Sequence, residues 1–520
     1  MKDERGEKSS LASSFILHPS SFILHRAMAR YGTKKYGSFK YGTDSTITTI
    51  QWGVLIDWDG DGYHAGDNEA EQMIDLSVTR GRDSYIGPNG QGLERYRPGE
   101  AILIFDNSNG RYDPYNTASP LYPNVKPGRL VDIRLRNATD TWRMIMRGKI
   151  TDIQAYRSGG HETVAITVKD GLQFLSDQTL TVGLQGDEAD DIVREQILPQ
   201  AGWPDIVDRG WPISSGSSTK LIQQWAIRNQ SALAAVHELE DVELGQFVHQ
   251  RDGFGRFISS IFSYDSTITI TGAECLRDIL IPSPWEVVRN QIIIKVYPRR
   301  YQTVNTTVFD LDFPTAIAAG ETLRLDCEFT YAGGPTIGQF ATYAFTANTL
   351  SGGGGTDITA SCVLVEDPNP GYGAIVEITN NSGLAGFVID LTIDVVNVSY
   401  VVNPVVVQVE DTTSQEAYGK RTLVIDTPIM ADVTYAKLCA AWLLEHLKDP
   451  LIWPTIQVEN RADLQWPPYL YVTRIKLEIP TKGIDAYYRI GKIEHKWIRS
   501  NGQAVRTTFG LEPYFEPFTG

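Results

Sequence analysis

Between residues 45 and 180 apolar and polar positions alternate in short runs. Thr46–Ile56, Ala101–Phe105, Leu130–Leu135 and Val164–Val168 read as strands. Asn89-Gly90, Asn109-Gly110, Pro127-Gly128 and Gly159-Gly160 punctuate them with tight-turn chemistry. Short strands rejoined by such turns predict an antiparallel barrel or sandwich rather than βαβ units. The period then changes. Asp187–Leu198 carries apolar residues at Ala189, Ile192, Val193, Ile197 and Leu198, a helical spacing with an acidic start, and Ala201-Gly202-Trp203-Pro204 stops it. A second helix is predicted over Ser231–Leu239, followed by strands Gln246–His249 and Arg256–Ser260 around an Asp252-Gly253 hairpin turn.

Residues 300–402 show almost no helical pattern. Strands are predicted at Glu321–Phe329, Ala341–Ala347, Ser361–Glu366, Ala374–Thr379 and Phe387–Val398, with glycine-rich joins. A block of that size and strand spacing matches an immunoglobulin-like β-sandwich. Strands Ile292–Val296 and Val405–Val409 flank it, so it reads as an insertion between neighbouring strands of a parent domain. Beyond it come the segment Asp411–Leu423 and a helix over Asp432–Leu447. That helix has Asp432 as N-cap and an apolar stripe of Val433, Ala436, Ala440, Leu443, Leu444 and Leu447. Strands Leu470–Ile479, Tyr487–Trp497 and Ala504–Leu511 follow.

The first 27 residues differ from the rest. Ser13–Pro19 and Ser20–Arg26 are tandem copies of one heptad, SSFILHP and SSFILHR; His18 and Pro19 break the apolar stretch that a signal peptide needs. They read as a disordered extension or a start assigned too early, with Met28 as the working start. Tyr31-Gly32, Tyr36-Gly37 and Tyr41-Gly42 then recur every five residues, an extended basic arm rather than helix or strand.

Composition narrows the classes. The chain has 520 residues, 42% hydrophobic and 21% charged, so several folded domains are expected. No apolar run of about 18 residues marks a membrane-spanning helix. The net charge is −16; residues 1–50 carry +4, leaving −20 on the remainder, which argues against a sequence-independent nucleic-acid binder. Cys275, Cys327, Cys362 and Cys439 lie far apart without zinc-ligand spacing. Buried free thiols are the favoured reading, a Cys327–Cys362 disulfide the alternative.

The sharpest local signal is Asp57-Trp58-Asp59-Gly60-Asp61-Gly62. Carboxylates at alternate positions with glycine sixth are the opening of a calcium loop, because Ca²⁺ takes six to eight hard oxygens and the glycine permits the turn. Asp57, Asp59, Asp61, Tyr63 through its carbonyl, Asp67 and Glu69 form the candidate ligand set. Asn68 stands where the closing bidentate Glu belongs, and the flanks read as strand. A polar turn at a strand end is the plainer reading of the same residues. His237-Glu238 lacks the second histidine of a zinc hydrolase helix; no phosphate loop occurs, and Ser214–Ser218 contains no nucleophile elbow. No catalytic residue is assigned and no enzyme is expected.

Several motifs stand in a distinctive order: Asp57-Trp58-Asp59; Arg80-Gly81-Arg82; Pro98-Gly99 before a strand ending in Asp106-Asn107-Ser108-Asn109-Gly110-Arg111-Tyr112-Asp113-Pro114; Pro127-Gly128 before Val131-Asp132-Ile133-Arg134; and Gly148-Lys149-Ile150-Thr151-Asp152. In this order the region resembles the N-terminal domain of tail-hub (minor tail, baseplate-hub) proteins of long-tailed bacteriophages. Ala201–Pro204, the Asp252-Gly253 hairpin, and Ser414 with Tyr418-Gly419-Lys420-Arg421 resemble later parts of such hubs.

The resemblance implies a mainly β, multidomain fold with some α. Antiparallel β-barrel or sandwich hub domains carry an inserted immunoglobulin-like sandwich. The expected division is an arm at 1–44, a β hub domain at 45–185, an α+β hub domain at 186–299, the sandwich at 300–402 and a C-terminal α+β part at 403–520. It implies a homo-oligomeric ring, commonly a trimer, in the virion tail, assembled in the bacterial cytoplasm. The ring's partners are the tube, distal tail, tape-measure and fibre proteins, and DNA passes through its lumen without specific binding. Ca²⁺ is the one cofactor considered. Three alternatives stay open: a tail-associated cell-wall or polysaccharide hydrolase, the hub of a phage-derived contractile injection system, and a secreted adhesin.

Overall fold

The computed structural model describes residues 50–515 except 65, 87–89, 91, 138–141, 159–160, 204–220, 252, 259–265, 276–278, 284, 367–370, 460–472 and 499–503. The heptad repeat, the Tyr-Gly arm, the Gly159-Gly160 turn and the Ser214–Ser218 segment lie outside the described residues, as do Asn89, Pro204 and Asp252.

Eleven strands form one large sheet: β1 (Ile50–Ile56), β2 (Met73–Gly81), β3 (Arg97–Asp106), β4 (Leu130–Asn137), β5 (Arg143–Ser158), β6 (His161–Lys169), β7 (Ser266–Thr271), β8 (Thr455–Glu459), β9 (Thr473–Ile479), β10 (Ile484–Ile498) and β11 (Ala504–Pro513). The order is β1-β4-β5-β6-β3-β2-β10-β9-β7, with β11 on β10 and β8 on β11; β7 and β9 pair in parallel and the other pairs are antiparallel. The architecture is mainly β, as the alternation predicts. The barrel alternative is not realised among the described residues, because this strand path runs open instead of closing on itself. The outer edge of β1 is covered by its own return segment, through Ile56 N to Asp67 O at 3.0 Å and Glu69 N to Val54 O at 2.8 Å.

Strands far apart in sequence share this sheet. β2 pairs with β10 over Ser77↔Lys496 to Gly81↔Lys492, while β9 occupies the preceding stretch of the same β10 edge. Trp497 and Val505 accordingly pack in the core built by β1–β6, beside Ile133, Phe105 and Tyr112.

The helical readings hold with shifted ends. Asp187 and Glu188 do not open the first helix. They end the strand Thr179–Glu188, and helical backbone begins at Ala189, running through a π turn at Val193–Ile197 to Gln200. Ala232–Glu243 is longer than predicted, with Ser231 Oγ accepting from Ala234 N. Val433–Leu447 matches its pattern, and Asp432 accepts from Thr434 N and Tyr435 N. A short helix, Gly171–Asp177, and the strand Leu221–Ser231 carried no clear sequence signal.

The flanking strands Gln291–Val296 and Val405–Glu410 pair directly, Ile292 opposite Val409 and Val296 opposite Val405. Between them fold two sheets, one ordered around Gly386–Val401 and the other around Gly373–Asn380. They enclose a core whose buried members, among the described residues, run from Val308 to Val398, with Tyr400 packed against it. Cys327 and Cys362 lie within it without a disulfide between them, and Cys275 and Cys439 are in no disulfide either. Among the described residues no helix is long and apolar enough to cross a membrane.

Candidate functional site

Polar assemblies tie together the charged and aromatic residues of several motifs. The first is the acidic loop after β1. Oxygens of Asp57, Asp59 and Asp61 lie within 4.8 Å of one another. Gly60 and Gly62 take positive φ values of 85° and 102°, where glycine is least strained, and Gly60 N donates to Asp57 Oδ1 at 2.8 Å. A hydrogen bond with Asp61 holds Asp59 below the usual carboxylate range. His64 Nε2 sits 2.8 Å from Asp61 Oδ1, and that bond raises the imidazole pKa. Three hard oxygens on one turn fit a hard cation.

The remaining candidate residues, and Asn68 beside them, make side-chain bonds of their own. Tyr63 donates its hydroxyl to Asp132 Oδ1 at 3.2 Å. Asp67 accepts from His64 N, closing the turn. Asn68 Oδ1 accepts from Val54 N at 3.2 Å and Ala70 N at 3.1 Å, so it secures the covered edge of β1.

Glu69 is buried and forms the second assembly. Its Oε1 accepts from Trp58 Nε1 at 3.1 Å and from Arg111 at 2.8 Å; its Oε2 accepts from the Tyr112 hydroxyl at 2.7 Å. Asn107 Oδ1 accepts from Tyr112 N at 2.8 Å. The run Asp106–Pro114 is thus a turn that folds Tyr112 into the core against Phe105, ring centroids 5.1 Å apart, and joins it to Asp57-Trp58 through Glu69. Asp132 makes a similar hub with Arg147 at 2.8 and 3.1 Å and Arg134 at 2.5 Å. Burial would raise its pKa, but these guanidiniums lower it.

The third assembly explains Arg80-Gly81-Arg82. A β-carbon on Gly81, at φ +121°, would lie 2.2 Å from Gly491 O, so β2 approaches β10 only as glycine. Arg82 then forks onto Glu512, Nε to Oε1 and NH2 to Oε2 both at 2.7 Å, and Arg489 Nε reaches Oε2 at 3.1 Å. Tyr85 lies under both guanidiniums, 4.8 Å from that of Arg82 and 4.5 Å from that of Arg489. Burial opposes ionisation here. The charges outweigh it, holding Glu512 below and Arg82 above their ordinary ranges. Sequence reading missed Glu512 and Arg489, which stand 430 and 407 positions from Arg82 in alternating strands where no motif marks them.

No protein-family model matches the chain, and no curated protein matches it. Solved structures do. A tail protein from Neisseria meningitidis MC58 aligns at TM-score 0.48 and 10% identity, covering 90% of this chain and 98% of that one. The 43 kDa tail protein of prophage MuSo2 from Shewanella oneidensis aligns at 0.47 and 9%, covering 88% and 97%. The E. coli c3393 protein, a component of the type VI secretion system, aligns at 0.37 and 11%, covering 86% and 75%.

Proposed function

We propose that this chain is a structural subunit of a phage-type tail: a hub that closes into a ring, a trimer in the simplest case, and links the tube to the tip or fibres. One observation supports the reading above others. Among the described residues, the motifs that carry the hub resemblance do not converge on a reaction centre. Several of their residues are tied into polar clusters with residues outside the motifs, Trp58, Arg111 and Tyr112 on Glu69, Asp132 and Arg134 with Arg147, and Arg82 on Glu512, and so fix the path of one sheet. Residues whose chemistry is used to hold strands in register suit a building block working by shape, which must present the same surface to every neighbouring copy.

In this reading the −20 balance of residues 51–520 faces the lumen, so that DNA phosphates pass without adhering. The sandwich at 300–402 projects as a contact module, and the Asp57–Asp61 loop receives Ca²⁺. The deciding experiment is the mass of the purified full chain by light scattering, followed by electron microscopy of particles labelled with antibody to it. A defined ring and label at one end of a tail are expected. A strictly monomeric protein with no label on any tail or syringe-like particle overturns the proposal.

A further inference from the structure

Away from the acidic loop, a cavity of about 250 Å³ opens where β5 and β6 meet the helix Gly171–Asp177. Leu130, Ile150, Phe174 and Trp203 give it apolar walls. Gly171 lets two of its neighbours close in: a β-carbon there would lie 2.3 Å from Trp203 Cη2 and 2.7 Å from His249 Cδ2. The Trp203 indole meets Phe174, Phe247 and His249 edge to face, at centroid distances of 6.4, 6.4 and 5.6 Å, which fixes its orientation.

This apolar cavity carries unused polarity. Trp203 is 4% exposed, yet its Nε1 has no hydrogen-bond partner among the described residues. His249 is 6% exposed and its Nδ1 makes no hydrogen bond among the described residues; Asp170 Oδ2 stands 3.6 Å away, in ion-pair range but beyond hydrogen-bond reach. A buried donor left without an acceptor is costly, and of the unpartnered indole donors Trp203 is the one that lines this cavity. The cations along the lining also differ. Arg147 is paired with Asp132 and Lys169 with Glu100, whereas Lys149 rests 5.0 Å over the Phe174 ring with no carboxylate partner among the described residues. Phe174 therefore touches both the free ammonium and the indole whose N–H is unfilled.

We propose that this cavity binds a small organic carboxylate with an apolar body. The acid accepts from Trp203 Nε1 and faces Lys149, and the body packs on Phe174, Leu130 and Ile150. An ammonium and an indole donor suit a monoanion, and the carboxylates Asp170 and Asp177 in the same lining disfavour a second negative charge. The carboxylate has two sources, a free acid or an acidic side chain of a neighbouring subunit, and the test separates them.

Benzoate is the probe, benzamide its uncharged counterpart, and the full chain the target, read by ligand-observed NMR and calorimetry. Saturable benzoate binding is expected, with benzamide at least roughly tenfold weaker, as for loss of a charge-assisted hydrogen bond. Trp203→Phe keeps an aromatic ring and removes only the donor; Lys149→Gln changes a side chain at the rim. Each should weaken benzoate by roughly tenfold or more while leaving the far-ultraviolet circular dichroism of the protein intact. Absence of benzoate binding, equal binding of benzamide, or indifference to Lys149→Gln each overturns the proposal. Once binding is established, light scattering identifies the source: a mass that falls when benzoate is added, and in Lys149→Gln, means a neighbouring copy supplies the acid; an unchanged mass means a free acid does.

Discussion

The large sheet and the 300–402 sandwich are both β, but they are held together differently. Around the sheet the buried polar residues include Asp57, Glu69, Arg80, Arg82, Asp132, Arg489, His495 and Glu512. In the sandwich they are Thr336, Asn348, Asn380 and Ser399, with no buried charge among the described residues. The difference follows from chain distance. Sandwich strands meet neighbours within about one hundred residues, and apolar alternation with amide-capped turns sets their register. The sheet must bring residue 82 to residue 512, and a buried ion pair tolerates few alternative placements, because any misregistered version leaves an unpaired charge in the core.

That contrast can be broken in order of expected effect. Glu512→Ala strands two buried guanidiniums and should cost about 3–5 kcal/mol in denaturant unfolding, with hydrogen exchange rising first along β2 and β10. A loss within about 1 kcal/mol, typical of exposed pairs, would remove the seam from the account. Next is acid. Glu512 and Asp132 have folded pKa values below their unfolded ones, so the folded state binds fewer protons. Their stabilisation is present above the ordinary carboxylate pKa of about 4 and is lost as pH falls through the folded values. His495 acts in the same sense and earlier: burial, with Arg80 and Arg251 near, pushes it down to about 3, so stability falls as the pH drops below the unfolded imidazole pKa of about 6.5. Hydrogen exchange corrected for intrinsic rates should show the sheet loosening on acidification before the sandwich; simultaneous loosening would erase the distinction.

Smaller effects sharpen it. Glu69→Gln replaces charge-assisted bonds to Arg111 and Tyr112 and should cost about 1.5–3 kcal/mol, read in the same denaturation assay. Asn380→Ala removes bonds to Ala318 O, Leu384 O and Ser382 N; about 1 kcal/mol is expected, with protection lost only inside the sandwich. Least is calcium. Calorimetry should show Ca²⁺ binding that Asp59→Ala abolishes, and absence of heat with the unaltered chain rejects the loop as a cation site.

What was legible in the sequence was what local chemistry decides. The helix Val433–Leu447 announced itself by cap and stripe, and the strands flanking the insertion by their matching apolar runs. The Asp57–Asp61 cluster was visible because its carboxylates are two residues apart. Glu69 resembled a sixth ligand for the same reason, yet tertiary packing turned it towards Trp58, Arg111 and Tyr112. Strand Thr179–Glu188 captured Asp187 and Glu188, since pairing with Leu221–Ser231 outweighs a weak dipole preference, while Asp190 and Asp191 stay in the first helical turn. Arg82 and Glu512 were individually plain residues; their partnership exists only in three dimensions.

The pairing of β2 with β10 also sets a schedule for synthesis. A ribosome releases residues 73–81 long before residues 484–498 exist, so one flank of the early sheet waits without its permanent neighbour. During that interval it offers unfilled amide and carbonyl groups to any extended chain nearby. Closing a loop of some four hundred residues is slow for topological reasons. Overexpression that outruns this step should therefore yield insoluble material whose β2 backbone is bonded to other copies, and slower translation at lower temperature should raise the soluble fraction.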